Sequence, residues 1–337
     1  MALVVNKLQF SYPASHSFKG LRSISFQLEE SDFLSVFGKS GSGKTTLLKC
    51  IYGLEDIQKG EIKFGNEKVF GPAFNLIPGN SNMKLVSQDY YVLDNHSVYE
   101  NIYDRLSGYT DDYKKKRSEE MMRRLQLTSC RNSIAKFLSS GQKQRLSIAR
   151  ALADFPKVLL LDEPFSNLDL GLRDEIYSYI RFEAKKNNSI IILVTHQPEE
   201  ALKFANKVMV IEQGRMLAFN SPAEIYFQQD NFKVARLLGK AFELAKEDFF
   251  KCGKLKFRKG KVILRPEAFL PLEKGWNGIV LKGKIVDQYF APDKNEILVK
   301  LDSGKKISFF TSNHDFQIGK EICLTISDSS NKKITKE

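Results

Sequence analysis

Apolar and polar positions follow two alternating periods along the first two thirds of the chain. Short apolar runs typical of strands alternate with stretches in which apolar residues recur every three or four positions, as on one face of a helix. The pattern predicts strands at 3–10, 21–28, 33–37, 61–64, 83–86, 157–161, 190–195, 208–211 and 215–219. It predicts helices after residue 44, within 97–127, at 141–152 and 170–186, and in the residues up to about 238. This alternation favours an α/β domain over residues 1–238.

The pattern changes after Gly239. Short strands are predicted at 255–258, 262–264, 278–281, 285–289, 297–301, 306–310 and 322–326, with turns such as Asp302-Ser303-Gly304 between them. Many short strands separated by turns are typical of a small all-β barrel or sandwich. We therefore expect a second domain over residues 239–337.

Most of the net positive charge of the chain lies in this second region. Residues 1–230 carry 30 basic and 27 acidic residues, whereas residues 231–337 carry 22 and 13. A basic surface of this kind is compatible with nucleic acid, with an anionic membrane surface, or simply with solvated lysines.

Cysteines and apolar runs narrow the class of protein. The four cysteines are far apart in the sequence, which favours free thiols in a reducing compartment over disulfides or a metal cluster. The longest apolar runs, 1–5 and 190–194, are much shorter than a membrane span, and residues 1–7 do not resemble a signal peptide. We expect a cytoplasmic protein.

A glycine-rich segment follows the third predicted strand. Gly38, Gly43, Lys44 and Thr45 fit the phosphate-loop pattern G-x-x-x-x-G-K-[ST]. Glycines allow backbone N–H groups to surround a phosphate, the lysine reaches the β- and γ-phosphates, and the threonine hydroxyl can bind Mg²⁺. The predicted nucleotide-binding residues are Gly38, Lys39, Ser40, Gly41, Ser42, Gly43, Lys44, Thr45 and Thr46.

Two carboxylates end the apolar strand at 157–161. At the carboxyl edge of a parallel sheet, Asp162 is placed to hold Mg²⁺ through water and Glu163 to polarise an attacking water. The alternative is that the two residues cap the next helix.

The segment Leu138-Ser139-Ser140-Gly141-Gln142 resembles the L-S-G-G-Q signature of the ATP-binding-cassette (ABC) ATPases, and motif order matches that family across residues 1–230. The resemblance implies a P-loop NTPase fold with a helical subdomain at about 89–153, binding ATP and Mg²⁺. It implies that Tyr12 stacks on adenine, with His16 close enough to compete for that role. Further implied site residues are Gln88 as a catalytic and metal-binding glutamine, Asp169 in the segment 166–169, His196 as the switch histidine, and Ser139, Gly141 and Gln142 as contacts to the ATP of an opposite copy.

Ser140 departs from this family pattern, which has glycine at its position. A serine adopts positive φ less readily than a glycine does. We expect that the backbone here has negative φ and accommodates the serine.

Two later segments resemble one group within the family. Gly214-Arg215-Met216 with 221–226, and Leu264-Arg265-Pro266-Glu267, are similar to segments of importer ATPases for sugars, polyamines, sulfate or molybdate, and ferric iron. This resemblance implies an oligonucleotide/oligosaccharide-binding-like (OB-like) regulatory barrel at 239–337. It also implies a head-to-tail homodimer that drives permease subunits at the inner face of the membrane, fed by a solute-binding protein, with residues 89–93 facing the permease.

Two other functions remain as alternatives. A soluble ABC ATPase acting on ribosomes or DNA would usually carry two cassettes, and this chain carries one. A nucleic-acid-binding protein would use the basic C-terminal third and would bind RNA or DNA in a salt-sensitive manner. Neither explains the two importer-like segments, so we expect no nucleic-acid partner.

Overall fold

The computed structural model describes residues 1–12, 20–87, 91–165, 168–228, 230–251, 260–272, 279–290, 294–313 and 315–327. The chain forms two compact units, Met1–Pro222 and Ala223–Glu337. This division precedes residue 238 because the segment after residue 222 contacts the later strands: Arg265 Nε donates to the Tyr226 carbonyl at 2.8 Å. That residues 1–238 and 239–337 are separate domains stays a prediction. Within the described ranges, no helix is both long enough and apolar enough to cross a membrane.

In its described residues, the first unit combines ten strands with six α-helices. The strands are β1 (Leu3–Ser11), β2 (Gly20–Leu28), β3 (Phe33–Phe37), β4 (Lys59–Phe64), β5 (Glu67–Lys68), β6 (Met83–Val86), β7 (Val158–Asp162), β8 (Ile190–Thr195), β9 (Lys207–Glu212) and β10 (Arg215–Asn220). The helices are α1 (Lys44–Tyr52), α2 (Val98–Tyr103), α3 (Asp111–Arg124), α4 (Ser140–Ala153), α5 (Leu170–Asn187) and α6 (Pro198–Lys203).

A six-stranded sheet in the order β10-β9-β3-β8-β7-β6 forms the centre of this unit. Its strands are parallel except for β10, which pairs with β9 as an antiparallel hairpin. Strands β3, β7 and β8 are buried along their whole length, as expected for a parallel sheet covered on both faces. Because β3, β8 and β7 are neighbours, the segments that follow them emerge together at one edge of the sheet.

Alternate residues of the central strands enter two separate cores. Leu159 and Leu161 pack in a cluster with residues of α2, α3, α4 and α5. Val158 and Leu160 belong to a second cluster, which contains residues of α1 and of the antiparallel sheet β2-β1-β4-β5. The period of two along β7 therefore decides which helices cover each face of the sheet.

The predicted helical stretch 97–127 contains two helices. Helix α2 begins at a capping box between Ser97 and Glu100, and α3 begins after Thr110, whose side chain accepts from the Tyr113 N–H. Gly108, with φ of 93°, lies in the turn between them. Glycine adopts this left-handed conformation at little cost, which allows the chain to reverse there.

The second unit is mainly β. It contains helices α7 (Pro222–Phe227) and α8 (Phe232–Leu237) and strands β11 (Phe242–Ala245), β12 (Lys261–Leu264), β13 (Phe269–Pro271), β14 (Leu281–Tyr289), β15 (Asn295–Leu301), β16 (Lys306–Thr311) and β17 (Glu321–Ile326). Strands in the order β13-β17-β14-β15-β16 form a nearly closed antiparallel barrel, which confirms the predicted small all-β architecture.

Two predicted strands of this unit merge into one. The predictions at 278–281 and 285–289 correspond to the single strand β14, which continues through a register shift between Ile285 and Asp287 against β15. The two predictions are separated by Lys282-Gly283-Lys284, which precedes this shift and reads as a turn in the sequence. In the structure Gly283 is a strand residue at which the neighbouring backbone approaches closely, since a Cβ there would lie 2.5 Å from the Lys300 carbonyl oxygen. The predicted strand at 255–258 lies outside the described residues.

Candidate functional site

The phosphate loop connects β3 to α1, and its glycines occupy positions that other residues would strain or block. Gly41 and Gly43 have φ of 74° and 104°, and Gly43 is the N-cap of α1. A Cβ on Gly38 would lie 2.3 Å from the Ile211 carbonyl oxygen. The loop therefore ends at the N-terminus of α1, where backbone N–H groups without a partner in the helix suit a phosphate.

The turn between β9 and β10 supports this loop from behind. The Gly214 N–H donates to the Ser42 carbonyl at 2.9 Å, and the Arg22 N–H donates to the Gly214 carbonyl at 2.7 Å. A Cβ on Gly214 would lie 2.1 Å from the Gly20 carbonyl oxygen. The sequence predicted the two strands at 208–211 and 215–219 but not the contact of their turn with the phosphate loop, because a turn dipeptide carries no information about a distant neighbour.

Lys44 is buried inside the loop. Its ammonium group donates to the Gly38 carbonyl at 2.9 Å and the Lys39 carbonyl at 3.1 Å, and it lies 3.8 Å from Glu163 Oε1. Burial lowers its pKa, while the negative charges of Glu163 and Asp162 act in the opposite direction. The cation is thus held where phosphate oxygens could replace the loop carbonyls as its partners.

Asp162 and Thr45 place two kinds of oxygen beside this lysine. Burial raises the pKa of Asp162, and a hydrogen bond with the Thr45 side chain together with the charge of Lys44 partly offsets that rise. Asp162 is buried, whereas Thr45 is exposed. A buried carboxylate beside an accessible hydroxyl is a donor set that suits Mg²⁺.

Glu163, after β7, lies between Lys44 of the phosphate loop and His196 after β8. Its Oε2 lies 2.9 Å from His196 Nδ1, and its Oε1 faces Lys44. Its N–H donates to the Val194 carbonyl at 3.1 Å, and its backbone has φ of 48°, which is rare for a non-glycine residue. The carboxylate is 19% exposed and the imidazole 53%, so the pair is reachable from solvent.

The signature segment forms the start of α4. Ser139 is the N-cap, with the Gln142 N–H donating to its hydroxyl at 3.3 Å and the Ser139 N–H donating to Gln142 Oε1 at 3.0 Å. Ser140 has helical backbone as the first residue of α4, so the serine is accommodated without positive φ, as expected. A Cβ on Gly141 would meet nothing within 4 Å.

These signature residues do not join the cluster around Lys44. Among the hydrogen bonds and ion pairs of the described residues, none connects Ser139 or Gln142 with Lys44, Glu163 or His196. The start of α4 therefore presents its polar groups separately from the phosphate loop of its own chain.

The remaining predicted residues occupy the periphery of the site or lie outside the described ranges. The Tyr12 hydroxyl lies 3.4 Å from Thr46 Oγ1, and its ring packs edge-on against Phe10. Asp169 caps α5 by accepting from the Leu172 N–H at 2.9 Å. Lys39 and Ser40 are exposed and Ser42 is buried. Gln88, with residues 89–90, His16 and residues 166–167, lies outside the described residues.

Sequence reasoning missed a buried glutamine that connects α4 to the loop after β7. Gln144 is fully buried, and its Nε2 donates to the Pro164 carbonyl at 2.6 Å, directly after Glu163. In the sequence Gln144 stands between Lys143 and Arg145, in the polar first half of α4, so no local signal marks it as buried and only the packed structure identifies its partner.

Comparisons with known proteins agree with this geometry. The family model described as ABC transporter matches residues 21–166, and an AAA domain model matches residues 131–202. The chain is 35% identical over 74% of its length to the "Fe(3+) ions import ATP-binding protein FbpC 2" of Haemophilus influenzae strain Rd, covering 74% of that protein. It is 32% identical over 83% of its length to the "Spermidine/putrescine import ATP-binding protein PotA" of Clostridium novyi, covering 84% of it.

A solved structure supports the fold of the first unit. The ATP-binding cassette MJ0796, solved as a dimer in a post-hydrolysis state with ADP and Pi, aligns with a TM-score of 0.57 and 22% identity, covering 65% of this chain and 98% of that one. With the phosphate loop, the carboxylate pair and the signature helix in one α/β unit, the chain belongs to the ATP-binding subunits of ABC transporters, and it is an ATPase of the importer type.

Proposed function

We propose that this chain supplies the ATP hydrolysis that drives an ABC importer, acting as a head-to-tail homodimer on transmembrane permease subunits. One observation carries the proposal: Glu163 contacts both Lys44 of the phosphate loop and His196 after β8. Three motifs far apart in the sequence thus form one polar cluster at the carboxyl edge of the parallel sheet, where ligands of α/β proteins bind.

We assign a role to each residue, and for Gln88 this role rests on the sequence alone. Lys44 and the N–H groups of the loop bind the phosphates, and Tyr12 lies at the end of β1 to face the base. Asp162, Thr45 and Gln88 are the residues that would hold Mg²⁺, which neutralises charge on the β- and γ-phosphates when bound. Glu163 orients and polarises the attacking water, and His196 holds the Glu163 carboxylate and contacts the γ-phosphate.

The dimer supplies the other half of the site. Ser139, Gly141 and Gln142 lie apart from the Lys44 cluster of their own chain, so in this proposal they act on the ATP of the opposite copy, as does Asp169. The open space beside Gly141 leaves room for a γ-phosphate to approach the start of α4. A C₂ arrangement would complete both sites at once.

We propose ferric iron or a polyamine as the solute class, because relatives at 35% and 32% identity carry those names. The permease would meet this chain near residues 89–93, and a solute-binding protein would deliver the solute.

Cells carrying Lys44→Ala in this chain should lose uptake of either radiolabelled ferric ion or radiolabelled spermidine. Normal uptake of both would contradict the proposed solute class.

Hydrolysis and binding should separate in two variants. Glu163→Gln keeps the shape of the side chain and removes its charge, so ATP should be retained while turnover falls by about a hundredfold or more. Lys44→Ala should weaken ATP binding itself, because it removes a charge-assisted contact of about 1.5–3 kcal/mol. The measurements are steady-state ATPase activity and equilibrium binding of a fluorescent ATP analogue.

A matched control is Glu199→Gln, an exposed glutamate in α6, which should leave both properties unchanged. Parental turnover in Glu163→Gln would show that this glutamate does not act on water.

A further inference from the structure

A buried polar network surrounds the two residues that flank His196. Arg173 Nη1 donates to Gln197 Oε1 at 2.9 Å and to Glu200 Oε1 at 2.8 Å. The second carboxylate oxygen of Glu200 accepts from the Thr195 hydroxyl at 2.6 Å, and that hydroxyl accepts from the Gln197 N–H at 3.0 Å. The residues before and after His196 are thus both fixed.

The same network reaches the beginning of α5. Arg173 lies in the first turn of that helix, and its N–H donates to the carbonyl of the N-cap residue Asp169 at 3.0 Å. The side chains of Arg173 and Glu200 are only 11% and 8% exposed, while that of His196 is 53% exposed. Arg173 therefore connects the segment at Asp169 to the histidine without itself being open to a ligand.

A buried ion pair costs free energy of desolvation to form, and removing one partner destabilises the protein strongly. A carboxylate such as that of Glu200 is strongly destabilised when its cationic partner is removed, and the groups it holds are released. Here those groups are the backbone and side chains on both sides of His196. A small displacement of the imidazole ring would be enough to lengthen the 2.9 Å contact between His196 Nδ1 and Glu163 Oε2.

We infer that Arg173 is a positioning residue for ATP hydrolysis: through Gln197, Glu200 and Thr195 it holds His196 against Glu163 and links that histidine to Asp169. This inference rests on the proposed function, because it uses the roles of Glu163 and His196 given there. Arg173 touches neither of them, so its effect on turnover passes through the histidine.

The principal test is Arg173→Met in the full chain, with ATP turnover measured under enzyme excess. We expect the rate constant to fall by about tenfold or more while the affinity for ATP changes by less than about twofold, because phosphate binding by Lys44 is untouched. The matched control Arg181→Met removes an exposed arginine from the same helix and should change neither value.

A second variant separates positioning from folding. Arg173→Met combined with Glu200→Gln removes the unpaired buried charge, and the glutamine can still accept from Thr195. If Arg173 serves only the stability of the fold, the double variant recovers the parental rate, and the inference is overturned. If Arg173 positions His196, the double variant folds but its rate of ATP turnover stays low. The resonances of the His196 ring then also shift in NMR spectra of the histidine-labelled protein. Unchanged resonances would overturn the inference as well.

A mutant cycle with His196→Ala distinguishes this inference from the function beneath it. Residues that act as one unit give non-additive effects, so Arg173→Met should lower the rate by less than about twofold in the His196→Ala background. An equal loss in both backgrounds would contradict action through the histidine. A parental rate in His196→Ala alone would instead contradict the proposed function.

Discussion

At the residue scale, the site depends on backbone conformations that its side chains do not favour. Glu163 has φ of 48°, a left-handed conformation that costs a non-glycine residue about 1–3 kcal/mol. Its N–H bond to the Val194 carbonyl of β8 holds it there. The strain points the carboxylate between Lys44 and His196, where an unstrained continuation of β7 would not place it.

Ser140 is the contrasting case, because its backbone is helical. Glycine at the first position of α4 would add backbone freedom in the unfolded chain and lower helix stability by about 0.5 kcal/mol. We therefore expect that Ser140→Gly leaves steady-state ATPase activity unchanged or slightly lower. Ser140→Ala is the matched control, since it removes the hydroxyl but keeps the backbone restricted. A gain of about tenfold in Ser140→Gly, equal to about 1.4 kcal/mol, would mean that serine attenuates this subunit.

At the scale of elements, α4 is fixed along its whole length. A capping box between Ser139 and Gln142 fixes its start, and Gln144 donates to the Pro164 carbonyl. At its C-terminal end, Arg117 of α3 donates to the last carbonyl groups of the helix. Arg117 Nε and Nη2 donate to the carbonyls of Ala153 and Leu152, and Nη2 also contacts Glu183 of α5 at 3.2 Å. The signature at the start of α4 is thus oriented by contacts at its other end.

Arg117→Met should lower the free energy of unfolding by about 3–5 kcal/mol, because it leaves the Glu183 carboxylate buried without its cation and two helix carbonyls without donors. Urea unfolding followed by circular dichroism measures this change. Arg123→Met, which alters an exposed arginine of the same helix, should cost less than about 0.5 kcal/mol. Equal stability of the two variants would show that Arg117 does not fix α4.

At the scale of the whole molecule, each compact unit has its own apolar core. The cores of the first unit surround the six-stranded sheet, and a separate cluster fills the barrel of the second. The second unit also contains a buried carboxylate with hydrogen-bond partners. Asp248 Oδ2 accepts from the Ala245 N–H at 2.7 Å and from Lys305 Nζ at 2.6 Å. Burial acts to raise the pKa of Asp248, but the hydrogen bonds from Lys305, Ser303 and Ala245 outweigh it, and the pKa is lowered.

This lowered pKa predicts a pH dependence of stability. Because the folded unit prefers the ionised carboxylate, its contribution is fully present above the unfolded pKa of about 3.9 and is lost as the pH falls through the folded pKa. Asp248→Asn should lower stability at neutral pH and flatten the acid-unfolding curve below pH of about 4, with ATP binding by the first unit unchanged. Asp302→Asn, at an exposed position, is the control. An acid-unfolding curve identical to that of the parent would contradict this role of Asp248.

Local pattern predicted most of the elements and the positions of the motifs, but it missed the strands β5, β11 and β13. The uniform burial of β7 and β8 follows from their apolar runs and the phosphate loop from its glycines and lysine, whereas short strands between turns predicted a small barrel or sandwich without deciding between them. The merging of two predicted strands into β14 was not predicted, because the glycine at 283, which the close approach of β15 requires, reads as a turn residue in the sequence. Regular periods and turn residues are local properties, and they can be read from a few neighbouring positions.

The sequence by itself determined that this chain carries an ABC ATPase unit, and it predicted Lys44, Asp162, Glu163 and the Ser139 segment as its chemical groups. Only the tertiary structure decided that Glu163 meets both Lys44 and His196, that Gly214 supports the phosphate loop, and that Arg173 of α5 binds Gln197 and Glu200 beside the histidine. Those contacts join residues far apart in the chain. They arise because neighbouring strands end at one sheet edge and buried charges require partners, and neither condition leaves a periodic signal in the sequence.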